Sequence, residues 1–244
     1  MEDKIKKYIK NEKIYYVLKL TSLFILFIIW DSIFVEIFGK FIINLSMSYK
    51  VFFSFIVNLL FLILIVSVYF KTLKKDFKLF FKDFFNNLEI SIKYWLIGFI
   101  VMVISNLIII IITNGAIAGN EEEVRKLIDI SPLYMLFSVS IYAPLTEELL
   151  FRKGFRDIIK NKWLYIIISG GIFGGLHVLP TIIGSWLVTE SIIISELLFL
   201  VPYCSLGIAF AYTYYKTNNI FSTICMHSIH NTMAIILYLI GSGL

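Results

Sequence analysis

Long apolar blocks separated by short charged stretches leave this chain few folds to choose from. Each block approaches or exceeds the ~20 residues that a helix needs to cross a hydrocarbon core about 30 Å thick. In lipid, backbone N–H and C=O groups must be satisfied within the segment, so such blocks fold as helices. Composition agrees: 59% of the residues are hydrophobic and 16% are charged, against roughly a quarter charged in a soluble domain. The expected fold is all-α, a polytopic membrane helix bundle with no soluble domain, internal repeat or linker. No nucleic-acid partner is expected; the lipid bilayer is.

Charge placement gives the topology, because Lys and Arg mark the cytoplasmic side. Lysines 4, 6, 7, 10 and 13 read as a cytoplasmic N-terminal tail, with no cleaved signal peptide. Spans are expected at about Tyr16–Phe38, Val51–Phe70, Tyr94–Ile112, Pro132 through Glu147, Trp163–Leu179, Glu190–Tyr215 and Ile220–Ile240. That gives seven, with Thr181–Val188 as an optional eighth that would move the C-terminus inside. The segment Lys71–Lys93 holds six lysines interleaved with Leu73, Phe77, Phe80, Phe81, Phe84 and Leu88. It reads as an amphipathic connector on the inner leaflet of the cell membrane. Asn114–Ser131 reads as an acidic outer loop, its three consecutive glutamates a solvated charge run rather than a metal site. Cys204 and Cys225 read as buried, unpaired side chains. The chain is expected to divide into N-terminal spans with the basic connector, residues 1–130, and a C-terminal core of spans, residues 131–244.

Ionisable residues inside spans are costly and mark function. In Thr146-Glu147-Glu148-Leu149-Leu150-Phe151-Arg152 the adjacent carboxylates point about 100° apart on a helix. Arg152, four residues after Glu148 on the same face, makes that carboxylate one half of an ion pair. Glu147 is left without a local partner, as suits a general base. Pro144 loosens the helix three residues earlier. In Phe173-Gly174-Gly175-Leu176-His177 the aromatic ring and the imidazole stack four apart. Gly170, Gly171, Gly174 and Gly175 permit close approach of another helix, here expected to be the fourth span. In His227-Ser228-Ile229-His230-Asn231, His227 and Asn231 share a face and could hold an oxyanion; spacing does not choose between His227 and His230. Metal ligation by these groups is a second reading, although no H-E-x-x-H motif is present.

Glu147-Glu148-x-x-x-Arg152, Phe173-x-x-x-His177 and His227-x-x-x-Asn231, in that order, resemble the motifs of the CAAX prenyl protease and bacteriocin-processing family of intramembrane glutamic endopeptidases. The resemblance covers about residues 130–240. It implies that Glu147 and His177 activate water, that His227 and Asn231 form an oxyanion hole, and that Glu148, Arg152 and Phe173 support the site. No cofactor is implied, though the family's older description as metalloproteases keeps a metal-dependent protease as an alternative. The implied partner is a membrane-associated peptide or propeptide. A non-catalytic peptide-binding or bacteriocin-immunity protein is the competing class; a transporter is disfavoured for want of paired broken helices. From the position of Glu147 along its span, the cavity is expected to open toward the cytoplasmic leaflet. By the same counting His177 lies too deep for simple contact with Glu147.

Overall fold

A computed structural model describes residues 11–190 and 194–242. The tail lysines 4, 6, 7 and 10 lie outside the described residues. Among those described the chain is all helical. Nine elements follow in order: α1 (Glu12–Ile42), α2 (Met47–Lys82), α3 (Phe84–Thr113), α4 (Gly119–Ile130), α5 (residues 132–158), α6 (Lys162–Thr189), α7 (Ile194–Leu198), α8 (Leu200–Thr217) and α9 (Ile220–Ser242). Among the described residues six helices are long and apolar enough to cross a membrane, the fifth of them joining α7 to α8. The chain is a multi-pass membrane protein. The remaining expected span is α5, a continuous helical run interrupted by two wider π-type stretches, Ser138–Tyr142 and Glu148–Gly154.

Three expectations are corrected. The basic connector is not a helix of its own: α2 runs unbroken to Lys82 and α3 starts at Phe84. At 1.5 Å per residue α2 is roughly 54 Å long, well beyond the hydrocarbon core. Thr181–Val188 continues α6 and is not a separate span. The acidic loop contains α4, with Glu121 and Glu122 in its first turn and Glu121–Arg125 and Glu122–Lys126 pairs along one side. Acidic residues at the start and i, i+4 pairs both favour a helix.

The main core joins α1, α2, α5, α6, α8 and the start of α9 through Phe61, Ile65, Leu149, Leu150, Phe151, Tyr165, Ile166 and Ile220, all fully or nearly fully buried. The small residues of α6 work against α8 rather than against the fourth span. A Cβ on Gly170 would lie 2.7 Å from the Ile208 backbone nitrogen, and one on Gly174 would lie 2.7 Å from that of Cys204. Both are closer than real side chains tolerate, so glycine sets the helix spacing here. Gly171 faces open space. Cys204 and Cys225 are free and half-buried.

Candidate active site

Pro144 shapes the first wall of the site. It has no N–H, so the carbonyls four and five residues earlier, Ser140 and Val139, lose the donor it would have supplied. The π-type stretch Ser138–Tyr142 falls there. Side chains of α9 supply the missing donors. Asn231 Nδ2 donates to the Val139 carbonyl at 2.8 Å, and the Ser228 hydroxyl donates to the Ser140 carbonyl. Thr232 Oγ1 adds a bond to Ser140 Oγ at 2.7 Å. The loosening expected at Pro144 is therefore what docks α9 onto α5.

The two glutamates have opposite surroundings. Glu148 is fully buried, with Oε2 3.1 Å from Arg152 Nε. Its Oε1 lies 3.0 Å from His227 Nδ1. Because the carboxylate is committed to Arg152, that nitrogen is the donor, and it fixes the imidazole so that Nε2 points toward Glu147. Arg152 also donates to Ser169 Oγ at 3.2 Å and lies over the Phe173 ring, 4.7 Å from its centroid. Ser169 Oγ in turn donates to the Phe151 carbonyl at 2.6 Å. Glu147 has no such set: its Oε2 is buried without a hydrogen-bond partner among the described residues, and His227 Nε2 is 3.9 Å away.

His177 is held by geometry of its own. Its Nδ1 lies 2.8 Å from the Phe173 carbonyl, which can only accept, so Nδ1 carries a proton and the neutral ring keeps its lone pair on Nε2. The ring lies against Phe173 at a centroid distance of 4.6 Å and stacks on Tyr203 at 4.9 Å. Tyr203 adjoins Cys204, the residue against which Gly174 packs, so the close approach of α6 and α8 makes this stack. Asn120 of α4 donates to the Tyr203 hydroxyl at 3.3 Å.

Glu147, Phe173, His177, His227, His230 and Asn231 all line one cavity of about 950 Å³. The sequence motifs thus line one cavity, and the depth conflict narrows to roughly 6 Å of rise. Counted from the basic helix ends, Glu147 lies roughly 16 Å of rise from Ile158 and His177 roughly 22 Å from Lys162. Both Glu148 and Arg152 lie behind the cavity wall. His227 faces the glutamates, whereas His230 accepts from Trp95 Nε1 at 3.4 Å and packs on Phe99. A smaller cavity of about 350 Å³ shares His177, Asn120 and Glu123 with the first. Among the described residues no three His, Cys, Asp or Glu side chains converge as a metal site would require.

Tyr203, Asn120 and Ser169 were not singled out in the sequence. Ser169 and Tyr203 carry no local signal, since their partners come from other helices. The expected direction of the cavity is also corrected. Its walls above Glu147 come from α4, the start of α8 and the far end of α9, including Tyr238, Gly241 and Ser242. It therefore runs away from the lysine-rich helix ends.

Residues 129–233 match the family model described as type II CAAX prenyl endopeptidase Rce1-like. That segment, somewhat under half of the chain, is similar to the CAAX prenyl endopeptidase family. All four residues with implied catalytic roles fall within the matched segment. A Bacillus subtilis (strain 168) protein named "Putative membrane peptidase YdiL" is 28% identical over 128 residues, covering 51% of this chain. The match spans 45% of that relative's length. No solved structure matches the chain.

Proposed function

We propose that this protein is an intramembrane endopeptidase of the glutamic type, acting on a small membrane-associated propeptide, with its basic helix ends and N-terminus in the cytoplasm of a bacterial cell. The observation that carries the reading is the difference between adjacent carboxylates: Glu148 is ion-paired with Arg152 and bonded to His227, whereas among the described residues Glu147 Oε2 has no ion pair or hydrogen bond closer than His227 Nε2 at 3.9 Å, at the cavity. A buried acceptor without a donor is costly and calls for a partner that the reaction supplies.

In this reading a water molecule sits between Glu147 and the Nε2 lone pair of His177. Glu147 takes its proton as the oxygen attacks the scissile carbonyl carbon. The negative charge forming on the carbonyl oxygen is met by His227 acting as an imidazolium, its Nδ1–H on the Glu148 carboxylate and its Nε2–H on the oxyanion, and by the second N–H of Asn231, whose first is spent on Val139. Collapse breaks the C–N bond, and the proton held by Glu147 passes to the departing amine. Each group keeps its place throughout because Glu148 and Val139 hold the two oxyanion donors from behind.

The test is comparative peptidomics of cells lacking the protein, complemented with wild type or Glu147→Gln at equal expression. A precursor should accumulate in both the null and the Gln strain. A Gln variant that restores the wild-type peptide profile would remove Glu147 as the base and leave a peptide-binding or immunity role. Loss of processing on chelation, with Glu147→Gln retaining activity, would favour the metal-dependent alternative.

A further inference from the structure

We infer that the peptide reaches Glu147 from the membrane face opposite the lysine-rich helix ends, so that the substrate class is an exported peptide with an apolar segment, not the cytoplasmic tail of an intracellular protein. This rests on the proteolytic reading of the same site.

The cavity and the charges lie at opposite ends of the bundle. Lysines 71, 74, 75, 78 and 82 close α2, Arg156 lies in the last turn of α5 and Lys160 just after it, Lys162 starts α6 and Lys216 lies at the end of α8. None of these residues lines the cavity. Positive charge of this density stays on the cytoplasmic side. Between those ends and Glu147 the bundle is solid. Leu149, Leu150, Phe151, Tyr165 and Ile166 are at most 1% exposed, and Arg152 is completely buried among them. No peptide can pass there without unpacking the main core.

On the other side the way is open. Glu123 of α4 and Leu237 and Ser242 of α9 line the cavity and are exposed. The cavity between them and the site presents Phe99, Met102, Phe199, Leu206 and Met233. A void of about 950 Å³ so lined is at the upper end of the range for ligand pockets, and it favours a chain segment with apolar side chains. A peptide that has crossed the membrane, or that inserts from outside, meets this mouth directly. An endopeptidase so placed consumes the product of an export step.

Two measurements test this without depending on one another. In the full-length chain with Cys204→Ala and Cys225→Ala, single cysteines are placed at Glu123, Ser242 and Lys160. Right-side-out vesicles are then treated with a membrane-impermeant maleimide. Glu123→Cys and Ser242→Cys should react in sealed vesicles and Lys160→Cys only after lysis. If the two mouth cysteines react only after lysis, the inference is overturned whatever the enzyme does. The second measurement places a cysteine at Met233 and follows the precursor found in the Glu147→Gln strain. External maleimide should abolish its processing in the Met233→Cys strain and leave the parent unaffected. Continued processing with Met233→Cys fully labelled would overturn the route. Failure of proteolysis itself would instead be seen as Glu147→Gln retaining full processing, with the vesicle result unchanged.

Discussion

Below Glu147 the bundle is filled, and above it the same helices part. In the filled region Leu149, Leu150 and Phe151 exclude water, and the charges there are paired in a chain: His227 to Glu148, Glu148 to Arg152, Arg152 to Ser169. In the open region Glu147 Oε2 has no donor among the described residues, and aromatic side chains border empty volume. Two consecutive glutamates, one on each side of this boundary, are therefore subject to different rules. Where nothing can enter, a charge must bring its own partner. Where a substrate can enter, an unsatisfied group is tolerable and becomes useful.

The largest effect expected from breaking this contrast is on the filled side. Arg152→Met should leave Glu148 buried with His227 alone and cost about 3–5 kcal/mol. Thermal unfolding in detergent should show a large loss of stability, while Glu147→Gln on the open side leaves the midpoint almost unchanged. Next come the glycines between α6 and α8. Gly174→Ala forces a side chain against the Cys204 backbone and should cost about 1–3 kcal/mol. Gly171→Ala, facing open space, should be neutral or stabilising by about 0.5–1 kcal/mol. Equal effects at the two positions would mean that the packing of α6 on α8 is not set by glycine.

A smaller effect is expected at Tyr203. Its stack on His177 is of the kind worth about 0.5–1.5 kcal/mol, so Tyr203→Leu should slow cleavage by up to about tenfold at little change in KM. Tyr203→Phe should recover most of the rate; failure to do so would assign the effect to the hydroxyl. The smallest is on α4. The Lys126 ammonium, by hydrogen bond and charge, holds the exposed Glu122 carboxyl below its ordinary value. Lys126→Ala should let that value rise, as read by NMR titration. A carboxylate held low helps the fold above its unfolded-state value, and that help fades as the pH falls through the lowered one. At neutral pH the pair should be nearly silent in stability.

How far the sequence could be read follows the same boundary between local and distant. Apolar blocks and basic stretches carried the class of fold, and the Glu148–Arg152 pair was legible because both members sit on one helix. Pro144 announced its disruption. What stayed hidden depends on which helix faces which. The spacing of Gly170 and Gly174 foretold close approach but not that α8 was the partner. His227 and Glu148 are 79 residues apart, and no local pattern joins them. The direction of the cavity was misjudged because counting residues along α5 locates Glu147 and says nothing about where its neighbours diverge. α4 was legible in principle: two i, i+4 pairs and an acidic first turn were present, but were taken for a solvated loop.

The docking of α9 onto the carbonyls ahead of Pro144 also orders events in time. Ser228 and Asn231 belong to α9, which the ribosome makes after α5. Until it arrives, Val139 and Ser140 present acceptors to the bilayer that Pro144 cannot serve, and Glu148 has Arg152 but not His227. On the proposed mechanism, a chain halted before α9 would hold Glu147 without His227 or Asn231. Synthesis itself thus delays completion of the proposed site until α9 is inserted, and a nascent fragment could not yet carry out the proposed cleavage.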